Sequence, residues 1–123
     1  MNNNLIFVAL STFSEKDNSP LNLLNSSGIN YKIHKSGKRI TKQELLDDAL
    51  DATIIIAGVE IYDIELLSKL INLKYIVRCG VGIDNIDLDY AKEKGIKILN
   101  TPDVPSLAVA ELALSMFLTL SRN

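Results

Sequence analysis

Cysteine is almost absent from this chain of 123 residues. Cys79 stands alone, which excludes an internal disulfide and any cysteine-built metal cluster. Such usage fits a reducing compartment, and cytoplasm is the expected location. Histidine is equally scarce: His34 is the sole imidazole, so acid–base chemistry that needs one has a single candidate. Six glycines and three prolines are too few for a disordered tract or a fibrous repeat. No basic run opens the chain at Met1-Asn2-Asn3-Asn4, and the apolar residues 5–10 are too few for the core of a secretory signal. Nor does any apolar run reach the roughly 20 residues of a membrane-spanning helix. The longest, 104–120, is interrupted by Glu111 and several Ser and Thr positions and reads as a buried helix. A net charge of -2 gives no long-range field for nucleic acid or an anionic bilayer, so neither is an expected partner.

What remains is an ordinary globular composition, 47% hydrophobic and 23% charged, at the length of one domain. Short β-type apolar runs alternate with helix-like segments, the pattern of a parallel sheet with helices on its faces. Strands are predicted over 5–9, 31–34, 53–57, 75–79 and 97–99. The runs at 53–57 and 75–77 are continuously apolar, as expected for central strands covered on both faces. Tyr31-Lys32-Ile33-His34-Lys35 alternates and is predicted to be an edge strand, which places His34 at the surface. Thr41 and Glu44 form a capping box ahead of Leu45 and Leu46, while Asp63 and Asp87 are N-caps of later helices. Gly95 ends the helix that follows Asp87, and a last helix starts near Ser106. Five strands with intervening helices predict a flavodoxin-like α/β three-layer sandwich, its parallel sheet in the order 2-1-3-4-5.

Ligands of such sheets lie beyond the carboxyl ends of the strands, and Gly80-Val81-Gly82 falls there, after the fourth strand. Two glycines let the backbone turn sharply and bring its N–H groups close to a small carboxylate or phosphate. A tight strand-to-helix connection is the plain alternative. The dinucleotide fingerprint G-x-G-x-x-G is not met: Asn85 stands where the third glycine belongs, and Asp84 and Asp87 would repel a pyrophosphate. Asp84 and Asn85 are instead expected to hydrogen-bond the loop's own backbone.

Taken together, Arg78-Cys79-Gly80-Val81-Gly82-Ile83-Asp84-Asn85-Ile86-Asp87, the helix exit Lys94-Gly95-Ile96, Asn100-Thr101-Pro102 and Ala108-Val109-Ala110-Glu111-Leu112 follow one another at family-like spacing over about fifty residues. In these motifs the chain resembles the N-terminal, substrate-binding part of the NAD-dependent D-2-hydroxyacid dehydrogenases, the phosphoglycerate dehydrogenase family. The resemblance implies reversible hydride transfer between NAD and C2 of a D-2-hydroxy acid, with the acid's carboxylate held at Gly80, Val81 and Gly82. It implies that residues 1–103 form the substrate-binding domain and that helix 104–123 leads towards a cofactor-binding domain lying after Asn123. NAD is therefore expected in the intact enzyme and not on this chain alone, which is expected to be inactive: the family's catalytic arginine, histidine and acid belong to the later domain. His34 matches no catalytic position, and Arg78 matches an arginine of structural character.

Two departures narrow the substrate. Where phosphoglycerate dehydrogenases commonly carry an arginine after the third strand, Ala57-Gly58-Val59-Glu60 stands here, so a phosphate lacks its obvious partner. Pro105 occupies a place often held by a substrate-proximal asparagine and offers no donor. A small 2-hydroxy or 2-oxo acid is the expected ligand, and 3-phosphoglycerate specifically is not.

Other constellations read as structure. Cys79 is expected to pack in the core, the basic run from Lys32 to Lys42 to guard an edge strand, and Ser11-Thr12-Phe13-Ser14 to form a turn. A free-standing binding or interaction module is the competing reading. Its signalling version, a receiver domain, requires an aspartate after the third strand where Ala57-Gly58-Val59 stands. The final helix is apolar on most sides, from Leu107 through Leu120, and predicts self-association into a homo-oligomer.

Overall fold

The computed structural model describes residues 4–122. Five strands alternate with five helices: β1 (Leu5–Val8), α1 (Ser19–Ser27), β2 (Asn30–Ile33), α2 (Lys42–Asp48), β3 (Ile54–Ala57), α3 (Ile64–Lys69), β4 (Tyr75–Arg78), α4 (Leu88–Glu93), β5 (Lys97–Asn100) and α5 (Ser106–Ser121). All strand pairs are parallel, in the order β2-β1-β3-β4-β5, as the alternation of runs predicts. Crossovers run both ways from β1, so the loops after β1 and β3 diverge at the sheet's carboxyl edge.

Local chemistry starts the helices where expected. Thr41 Oγ1 accepts the Glu44 N–H and the Glu44 carboxylate accepts the Thr41 N–H, closing the capping box of α2. Asp63 accepts from the Leu66 N–H at 2.9 Å and Asp87 from the Tyr90 N–H at 2.9 Å. Gly95 follows α4 at φ 71°, a left-handed turn that costs a glycine little.

The register divides the sheet into two unlike faces. Phe7, Ile55 and Ile76 lie on one, sealed by Leu45, Leu66, Leu67 and Ala91 from the touching row α2, α3, α4 and by Leu70 just after α3. Each fully buried aliphatic side chain there contributes about 1.5–3 kcal/mol. On the other face Ile6 and Val8 are buried, and the Tyr31 hydroxyl hydrogen-bonds Asn25 of α1, which places that helix beside β2. Further along this face Ile54, Ile56, Tyr75 and Val77 are only half-buried, and Leu99 is exposed. The expectation that both central strands are covered on both faces therefore holds for one face only. Residues 104–120 depart further: α5 has no buried residue, so the helix predicted to be buried is exposed along its whole length.

Two single residues also move. His34 is buried, not at the surface, because its backbone N–H donates to Val8 O at 2.9 Å and extends the β2–β1 ladder by one rung. Its side chain falls on the covered face, where Nε2 shares a 2.5 Å hydrogen bond with Ser36 Oγ. Cys79, expected in the core, is exposed one residue past the end of β4. Among the described residues, no helix is long and apolar enough to cross a membrane.

Candidate functional site

The loops leaving β3, β4 and β5 meet at the carboxyl edge of the sheet. Gly80, at φ 148°, reverses the chain directly after β4 in a conformation that side chains rarely adopt. Its N–H donates to Thr101 Oγ1 at 2.8 Å, and its carbonyl accepts from the Thr101 N–H at 3.0 Å. One step on, the Val81 carbonyl accepts from Asn100 Nδ2 at 2.8 Å. The Asn-Thr-Pro segment thus has a physical role, since two of its side chains lace the glycine loop from the β5 side.

From the other side Asn85 holds the loop to the segment after β3. Its Nδ2 donates to Glu60 O at 2.7 Å and to Gly58 O at 3.2 Å, while its main-chain carbonyl accepts from the Tyr62 N–H at 2.8 Å. The Asp87 N–H in turn donates to Tyr62 O at 2.9 Å. Asn85, expected to bond its own loop, spans two loops instead. Sequence patterns carry no signal for such a partner 25 and 27 residues away.

Beneath the β3 loop lies a buried polar pair. The Glu60 carboxylate accepts from the Gly58 N–H at 2.9 Å and from the Tyr62 hydroxyl at 3.4 Å. Burial, with Glu60's negative charge second, pushes the Tyr62 hydroxyl well above its usual range. Glu60 therefore faces inward, and the segment Gly58-Val59-Glu60-Ile61 presents apolar side chains outward, with Val59 and Ile61 exposed.

With both flanks anchored, the middle of the glycine loop is open. Val81 and Gly82 are exposed, and their N–H groups donate to no protein atom among the described residues. Of the three predicted contact residues, Gly80 is committed to Thr101, and Val81 and Gly82 carry the free donors. Two adjacent free amides on a braced backbone suit a carboxylate, which accepts charge-assisted hydrogen bonds worth about 1.5–3 kcal/mol each. Arg78 lies against this turn: its Nη1 donates to Cys79 O at 2.5 Å, and its Nε is buried without a partner. The adjoining Cys79 thiol is pushed up by partial burial, with the Arg78 charge opposing that shift.

These residues do not fit a dinucleotide. Asn85 replaces the third glycine, and α4 begins with the Tyr90 N–H already bonded to Asp87 and with Asp89 in its first turn, so a pyrophosphate meets carboxylates where the fingerprint supplies free N–H groups. His34 sits at the β2 edge, three inter-strand spacings or about 14 Å from β4, and the structure does not bring it to the loop. No three His, Cys, Asp or Glu side chains converge as metal ligands among the described residues.

Comparison with known proteins supplies the lineage of this arrangement. The D-3-phosphoglycerate dehydrogenase of Methanocaldococcus jannaschii is 42% identical over 86 residues, which are 68% of this chain and 16% of that protein. A solved structure, the TT0316 protein of Thermus thermophilus, superposes with a TM-score of 0.81 at 29% identity, covering 96% of this chain and 37% of that one. The D-lactate dehydrogenase of Aquifex aeolicus, solved with NAD and lactic acid, superposes with a TM-score of 0.70 at 32% identity, covering 95% and 33%. The chain thus spans about a sixth of the first relative and about a third of the two solved chains. The family defined as the D-isomer specific 2-hydroxyacid dehydrogenase catalytic domain matches residues 8–121, and the chain belongs to that family.

Proposed function

We propose that these residues supply the acid-holding side of a D-2-hydroxyacid dehydrogenase cleft. The Val81 and Gly82 N–H groups receive the carboxylate of a small 2-hydroxy or 2-oxo acid, with Gly80 setting the turn. The observation that carries this reading is the pair of unpartnered amides on a loop braced by Thr101, Asn100 and Asn85. NAD is the cofactor of the intact enzyme, as in the A. aeolicus relative, and the carboxylate-lined start of α4 supports its being held outside residues 1–123. Residues 1–103 form the acid-holding body, and 104–123 lead towards the cofactor domain.

The ligand is unphosphorylated. The M. jannaschii relative is named for a phosphorylated acid, but the β3 loop here offers Val59 and Ile61 outward and turns Glu60 inward, and carries no basic side chain of its own to receive a phosphate. By itself the 123-residue chain does not transfer hydride, since its only imidazole lies at the far edge of the sheet. A cytoplasmic location accords with the single, unpaired thiol.

Titration of the isotope-labelled chain with oxamate, a 2-oxo acid analogue, tests the reading. Two charge-assisted bonds of about 1.5–3 kcal/mol each set a dissociation constant on the order of millimolar as the tightest expected. The Val81 and Gly82 amide resonances are expected to move first and furthest, 3-phosphoglycerate to bind no tighter, and NADH to remain unoxidised when pyruvate is added. Movement confined to His34 and its neighbours, or NADH oxidation by the chain alone, overturns the assignment.

A further inference from the structure

Arg78 is more than the brace its sequence position suggests. A guanidinium carries five N–H donors. One hydrogen bond accounts for a single donor, Nη1 to Cys79 O, while Nε is buried with no acceptor and Nη2 donates to no protein atom among the described residues. No Asp or Glu pairs with Arg78 among those residues either. A partly buried cation normally has its charge answered. The guanidinium also occupies the space beside Gly80 that any side chain there would fill, with Nη2 3.2 Å from the position of a Cβ. Gly80 is the residue immediately before the free amides of Val81 and Gly82. A glycine at this place therefore serves two ends, the reversal of the chain and the room for an arginine folded back over it.

We propose that Arg78 is the charge partner of the bound acid: its guanidinium lies against Gly80, the neighbour of the Val81–Gly82 amides, and the substrate carboxylate is the counter-ion that no described residue supplies. This rests on the carboxylate site proposed above and adds to it a residue that the family resemblance leaves as structural. Amides alone recognise any small acceptor. An arginine beside them selects for a full negative charge, and it places that charge at the β4 end of the loop, leaving the apolar flank of Val59 to face the remainder of the substrate.

Three variants separate charge from bracing. Arg78→Met removes both, Arg78→Gln keeps a donor for Cys79 O without the charge, and Arg78→Lys keeps the charge without the fork. Oxamate affinity is read from the Val81 and Gly82 amides of the 123-residue chain at two salt concentrations, with spectral dispersion reporting that each variant is folded. The expected result is a loss of about 10-fold or more in Arg78→Gln and Arg78→Met and a smaller loss in Arg78→Lys. Added salt should weaken oxamate in the wild-type chain and in Arg78→Lys, and have little effect in the two uncharged variants. If Arg78→Met fails to fold, Arg78→Gln carries the decision. Arg78→Gln binding oxamate within about twofold of wild type, with the same salt response, overturns the role of Arg78 and leaves the amide site standing. Absence of any movement at Val81 and Gly82 in the wild-type chain overturns both.

Discussion

At the scale of single residues, the shape of the site depends on Gly80. Its φ of 148° lies in a region that side chains rarely enter, and an added Cβ meets the Arg78 guanidinium, with Cζ only 2.5 Å away. Gly80→Ala must either change the backbone dihedral, breaking the paired hydrogen bonds to Thr101, or expel the arginine. Strain of this type costs about 1–3 kcal/mol, so the urea midpoint of Gly80→Ala is expected to fall by that equivalent, and the oxamate response to be lost with it. An unchanged midpoint would mean that the turn tolerates a side chain and that the arginine is free to move. Gly82 offers a contrast: its φ is not positive, and the nearest atom to an added Cβ is Asp84 Oδ1 at 3.0 Å, on an exposed side chain.

Legibility at this scale follows whether the determinant is local. The glycine pair and the caps Thr41, Asp63 and Asp87 act on neighbours within three residues and can be read from spacing. Asn85, His34 and Cys79 cannot. Asn85 finds its acceptors across a loop gap, and His34 is drawn in by one added rung of a ladder. Cys79 lies one position beyond the covered part of its strand. In each case a long-range partner or a one-residue boundary decides, and a single sequence records neither.

At the scale of elements, α2 and α3 are coupled by a charge cluster at their N-termini. Lys42 Nζ lies 2.8 Å from Asp63 Oδ2 and 2.6 Å from Glu65 Oε2, while Asp63 also caps α3. The Lys42 hydrogen bond, then the Leu66 N–H, holds the Asp63 carboxyl below its ordinary 3.8. Lys42 likewise holds Glu65 below 4.5. Carboxyls depressed in the folded state bind fewer protons there than in the unfolded chain. Their contribution is present above the ordinary values and is lost as the pH falls through the depressed ones. Asp63→Ala is expected to cost about 1 kcal/mol at neutral pH, through the cap more than through the exposed ion pair. Thermal melts from pH 7 down to pH 2 should show Lys42→Met losing less stability on acidification than the wild type, since its two carboxyls are then less depressed, Asp63 by the Leu66 N–H and Glu65 by Lys69 alone. Parallel acid profiles would show that the cluster adds nothing to the fold. Strands are legible as elements because their cores are unbroken apolar runs: Ile54-Ile55-Ile56 and Tyr75-Ile76-Val77 pair in register in the structure. Their observed ends differ by one residue from the predicted ones, at boundaries where the apolar run and the last ladder rung do not coincide.

At the scale of the whole molecule, the two faces of the sheet are unequal, and the last helix has no partner among the described residues. Phe7, Ile55 and Ile76 are sealed, whereas Ile54, Ile56, Tyr75 and Val77 remain half-buried. Leu107, Val109, Leu112, Leu114, Met116, Phe117, Leu118 and Leu120 of α5 are each more than half exposed. All-round apolarity says that a helix needs neighbours but not who supplies them; that is why 104–120 reads as buried in the sequence and stands exposed in the structure. A second copy of the chain is the partner that every solution of this protein contains. Antiparallel pairing of two α5 helices turns half of these side chains inward from each copy, a gain on the order of 10 kcal/mol. Association costs roughly 4–15 kcal/mol, and at the low end of that range about 6 kcal/mol remains, so dimers are expected from roughly tens of micromolar to millimolar concentration and dissociate on dilution. Sedimentation across that range should show the average mass rise above the 13.6 kDa of one chain. Leu112→Glu and Phe117→Glu should hold it at one chain without changing the melting of the sheet, because neither side chain touches the core. A single-chain mass at the highest concentration would exclude self-pairing and leave α5 to a partner of another kind.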